Sequence, residues 1–148
     1  MDKQEFINTL QTELKKHSTD VIAKWKKVMS MLPDEAKAVE ITISPTQDGD
    51  GIFDIFVSLD GPDLYVLNKK IEDHFKLFSP VHTLNGVEPH IPEVDPFDVD
   101  FEVNDTVVDT VLPWLEGLWA EVRPSELSVP VSIYGEEGYG SRPSAQLS

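Results

Sequence analysis

Cysteine is absent from this 148-residue chain, which excludes disulfides, thiolate metal sites and cysteine nucleophiles. Long apolar runs are absent too: nowhere do 18 apolar residues follow one another, so no membrane-spanning helix is expected. The N-terminus, MDKQEF, is charged from its second residue, unlike a secretory leader. These absences point to the cytoplasm. Basic residues are the other shortage. Only 12 Lys and Arg stand against 27 Asp and Glu, for a net charge of −15. Residues 1–44 balance at seven acids and seven bases, so residues 45–148, with 20 acids and five bases, carry the whole excess. Between Lys76 and Arg123 there is no Lys or Arg, and that gap holds ten carboxylates from Glu88 to Glu121. Phosphate contacts need cations, so direct nucleic-acid binding through this region is not expected. High net charge supplies solubility in many proteins, and it equally suits a surface that attracts a basic partner.

What is present is an ordinary apolar content of 40%, enough for a chain of this length to bury roughly two thirds of its unfolded surface in one domain. Phe6, Ile7, Leu10 and Leu14 share a helical face, and Asp2 with Glu5 three residues on fits a capping box. A break at His17–Ser18 and a second stripe from Val21 to Leu32 predict a helical hairpin over residues 3–32. Residues 38–59 alternate as two strands around the turn segment SPTQDGDG. A third helix is expected at 63–77, then a proline-rich loop at 79–96. FDVDFEV at 97–103 alternates strictly and reads as a central strand, placing Asp98, Asp100 and Glu102 on one face about 7 Å apart. Asn104 caps a following helix that Pro113 kinks or splits. A last strand lies near 127–134, where Pro130 suggests an edge.

The expected fold is therefore α+β: a two-layer sandwich ordered ααββαβαβ, with about four antiparallel or mixed strands and helices on one face. Residues 1–136 form the domain and 137–148 a flexible Gly- and Ser-rich tail.

Catalytic and metal signatures are missing. The loop around Asp48 and Asp50 places Thr46 and Val57 where a calcium loop needs Asp and Glu, so it reads as a hairpin turn. The four histidines make no HExxH-like spacing. His82 and His90 share the 79–96 loop with Glu88, Glu93 and Asp95, a set that reads as a titrating acidic loop before it reads as a metal site. There is no G-x-S-x-G elbow, and alternating exposed acids lack the desolvation that general acid–base work requires. No catalytic residue, metal or cofactor is assigned.

A small, acidic, cysteine-free chain with no catalytic motif resembles, in general character, the bacterial immunity proteins that neutralise secreted toxins, many of them basic nucleases. That likeness implies a module that occludes a basic toxin or nucleic-acid enzyme by charge complementarity. The residues expected to bind the partner are Asp54, Phe56, Glu88, Glu93, Asp95, Asp98, Asp100, Glu102, Trp114 and Tyr134. A homodimer is compatible with this reading. The alternatives are a small enzyme with a His/carboxylate site in the 79–96 loop, and a purely structural or oligomerisation domain.

Overall fold

A computed structural model describes all of residues 1–148. Apolar faces on two long helices close over a mixed sheet, as the amphipathic pattern requires. Helix α1 spans Lys3–Met29 and is capped by Asp2, whose side chain accepts from the Glu5 amide. The expected hairpin over 3–32 is one unbroken helix. The polar residues at the presumed break are satisfied within it: Ser18 Oγ donates to the Leu14 carbonyl (3.1 Å), and the His17 ring pairs with the His90 carbonyl (2.8 Å). Nothing then forces a turn.

Strands β1 (Ala38–Pro45) and β2 (Phe53–Asp60) form the expected hairpin, paired from Ala38–Asp60 to Pro45–Phe53. The third helix is shorter than expected. Helix α2 covers only Leu64–Lys69, and the chain turns into an edge strand, β3 (Lys76–Phe78). Asn68 on α2 extends the sheet by imitation: its Oδ1 accepts from Leu59 N–H (2.8 Å) and its Nδ2 donates to Leu59 C=O (3.0 Å). The proline-rich loop contains a small hairpin of its own, β4 (Val81–Thr83) with β5 (Gly86–Glu88).

Residues 97–103 do not form the expected strand. They run as turns and irregular chain into helix α3 (Val103–Val122), which continues through Pro113 without splitting. The helix cap is Glu102, and Asn104 lies inside the first turn. Strand β6 (Val131–Gly135) pairs parallel to β1, and β7 (Ser144–Gln146) pairs antiparallel to β6. The tail is thus part of the sheet. The Gly140 and Ser141 amides donate to Asp105 and Asp109, and Arg142 bonds Glu116. That hydrogen bond raises the Arg142 pKa above the usual guanidinium value.

The resulting order is β3-β2-β1-β6-β7, an α+β fold with a mixed five-stranded sheet and a separate two-stranded one. Helices α1 and α3 cover one face. Phe6 meets Phe101, Trp114 Nε1 donates to Ser18 Oγ, and Trp25 meets Trp119, so the two helices run in the same direction. Val39, Ile41, Ile43, Ile55, Val107, Val111, Leu115, Val131 and Ile133 are fully or almost fully buried between these layers.

Candidate functional site: an acidic end of the sheet

The topology gathers three loops at one end of the sheet. Strands β1 and β6 both finish there, so the β1–β2 turn (46–52) and the 3-10 turn at Glu136–Gly138 lie side by side. The parallel helices begin there as well, which brings the 89–102 loop to the same end. Local chemistry locks the loops together. Asn104 Nδ2 donates to the Thr46 carbonyl (2.9 Å), the Val94 amide to the Asp50 carbonyl (2.8 Å), and Ser44 Oγ to the Glu136 carboxylate. Gly51 is required by space and conformation: its φ is +95°, and a Cβ would sit 2.9 Å from the Pro92 carbonyl and 3.2 Å from the Phe6 ring.

Asp48, Asp95, Asp98, Asp100, Glu102 and Glu137 line this end with exposed side chains, and none takes part in the molecule's five ion pairs. Uncompensated carboxylates this close raise the local negative potential. The N-termini of α1 and α3 point their positive dipole ends at the same region, which offsets part of the mutual repulsion. A cleft of about 460 Å³ opens between the loops, bounded by Gln47, Gly49, Asp100, Glu102, Asn104 and Tyr139 on its polar side. Pro96, Val99, Phe101 and Val103 form its apolar side. Phe97, 94% exposed, projects from the same loop. Acidic and apolar lining residues beside an exposed aromatic are features that protein-docking surfaces combine.

The expected binding residues divide. Asp95, Asp98, Asp100 and Glu102 do share one region, though as a folded loop: Asp95 Oδ1 accepts from the Phe97 amide (3.0 Å), an Asx turn that bends the chain away from a strand. Glu93 lies on the flank of this end, 3.4 Å from His82, and Glu88 is exposed on β5. Asp54, Phe56 and Tyr134 sit elsewhere, on the face of the sheet opposite α1 and α3. That face was expected to be acidic. It carries Glu40 and Asp54 among Thr42, Ser44, Ser58 and Ser132, all of them partly or wholly buried. Phe56 and Tyr134 flank Thr42 in register and leave it 1% exposed, and Asp54 accepts from Ser79 Oγ (2.9 Å). Phe56 lines a second cleft of about 320 Å³ where Tyr65, Ile71 and Phe75 meet β2. Trp114 is half-buried between the helices, held by Ser18, and is no free anchor. Asp48, Asn104, Glu136, Glu137 and Tyr139 belong to the acidic end and were missed. The repeated acidic sign of the turn sequences was the available signal.

A family model matches residues 1–148 from end to end. The chain belongs to a family of unknown function, DUF6389. No curated protein and no solved structure matches it. No helix of this DUF6389 protein is long and apolar enough to cross a membrane.

Proposed function

We propose that this chain is an acidic protein-binding module of the inhibitor or immunity type, which engages a basic partner through the acidic end of its sheet. The observation that supports it is the gathering of unpaired carboxylates from three loops at one end of the sheet, beside a partly apolar cleft that Asp100 and Glu102 line. Carboxylates arrayed in this way attract a cationic surface over roughly a Debye length, about 8 Å at physiological salt. They then occupy the positions that phosphates take in a basic nuclease or toxin. Phe97, Val99 and Phe101 supply the apolar contact that slows dissociation after encounter. The enzyme alternative draws less support. His82 and Glu93 are its natural acid–base pair, and their side chains are 64% and 44% exposed, so water screens both.

The test is affinity capture with the wild-type chain, the D98N/D100N/E102Q variant, and a charge-matched control, D34N/E121Q/E126Q, whose exposed acids lie away from this end. A basic partner should be retained by the wild type and the control, released as NaCl rises, and lost by the acidic-end variant. Equal retention by all three would refute a local site.

A further inference from the structure

We infer that Asp50, His82 and Glu93 form a binding site for a divalent first-row metal ion of the zinc class. This inference is independent of the partner proposal. The three residues come from the β1–β2 turn, strand β4 and the 89–102 loop, and one donor atom from each lies within 4.8 Å of the others. His82 Nε2 and Glu93 Oε2 are 3.4 Å apart. Ligands about 2.0–2.1 Å from a tetrahedral zinc stand roughly 3.3 Å from each other, so this pair already has the spacing of two ligands on one ion.

The carboxylate of Asp50 is oriented from outside the cluster. Its Oδ1 accepts from Thr46 Oγ1 (2.7 Å) and from the Ile52 amide (3.1 Å). Bonds of this kind fix a metal-binding carboxylate before the ion arrives. The Asp50 carbonyl also accepts from the Val94 amide (2.8 Å), which ties the turn to the chain that presents Glu93. Ion pairing with Lys or Arg does not compete: none of the molecule's ion pairs brings either cation to this cluster. One imidazole with two carboxylates selects zinc, manganese or iron(II) over magnesium or calcium, which favour all-oxygen shells. Three protein ligands on an exposed surface leave the remaining positions to water.

The ion would also bridge the β1–β2 turn, strand β4 and the 89–102 loop, so its binding should stabilise the fold by mass action. A plain His82–Glu93 ion pair makes no such forecast. The experiment uses the full chain, stripped with EDTA and titrated calorimetrically with zinc chloride, alongside H82A, E93Q and H90A. His82 and His90 are both exposed, so neither substitution threatens the core, and circular dichroism checks this. One zinc per chain is expected for wild type and H90A, with affinity at least about tenfold weaker in H82A and E93Q. Zinc should raise the melting temperature of the wild type and H90A, and that of H82A much less. Cobalt(II) should give visible absorption bands in the wild type that H82A lacks. Absence of zinc uptake by the wild type, or equal uptake by H82A and H90A, would overturn the site.

Discussion

The two ends of the sheet make different use of charge. At the end where α1 and α3 begin, the exposed loop acids form no ion pair with Lys or Arg beside an open cleft, although Lys3 and the N-terminus start α1 there. Toward the other end, Lys26 and Lys27 close α1 with Lys24 one turn earlier, Lys69 and Lys70 end α2, and Lys76 opens β3 beside Phe56. Some of these cations have local partners, Lys24 with Asp20 and Lys70 with Glu35, and others lie against rings, Lys69 near Tyr65 and Lys76 near Phe75. The far end is therefore mixed in sign, with Asp34, Asp60, Asp63, Glu121 and Glu126 exposed among its lysines, whereas the exposed acids of the first end rely on helix dipoles and solvent. What sets the first end apart is that its unpaired acids come together from loops that meet beside one cleft. Net charge alone does not make the distinction.

The comparison can be broken most forcefully from beneath. Phe6 is fully buried under the acidic end, against Phe101 and Gly51. Phe6→Ala should cost about 3–5 kcal/mol in urea unfolding and loosen the loops above it. Unchanged exchange of the Val94 amide in that variant would mean that the loops do not rest on the ring. A sharper contrast comes from two glycines, both with positive φ. Gly51→Ala adds a clash to backbone strain and should cost about 2–3 kcal/mol, against about 1–2 kcal/mol for Gly86→Ala, where a Cβ meets nothing within 4 Å. Equal losses would show that the turn can move off Pro92. Asn68→Ala, away from the acidic end, removes both mimic bonds to Leu59 and should cost about 1–2 kcal/mol. The smallest effect is the most informative about charge. D98N/D100N/E102Q should leave stability unchanged or raise it by up to about 1 kcal/mol, and added NaCl should raise the melting temperature of the wild type more than that of the variant. A clear loss of stability would mean that these acids support the fold and are not held for a partner.

Much of the architecture was legible. Asp2 and Glu5 marked a helix start, and residues 38–59 marked a hairpin, because both signals are local. The reading of 97–103 failed for an instructive reason. FDVDFEV alternates, but a strand also needs a neighbour with free backbone groups. The sheet interior was already filled by β2, β1 and β6, and its edges by β3 and β7. Phe101 was drawn to Phe6, Val103 into α3, and Phe97 was left in water. The break expected at His17–Ser18 failed because two polar side chains found acceptors, one of them 73 residues away.

The sequence by itself determined the size of the charge, its concentration after residue 45, the absence of thiol chemistry, and which residues would be apolar enough to form a core. Composition and short-range periodicity carry those properties, and they do not depend on where the chain goes next. Only the tertiary structure decided that the acids meet at the sheet's end and not on its face, and that Asp50, His82 and Glu93 share one spot. The first follows from the parallel pairing of β1 with β6 and the common direction of α1 and α3, the second from the docking of the 89–102 loop on the β1–β2 turn. Long-range contacts set those, and no local pattern encodes them.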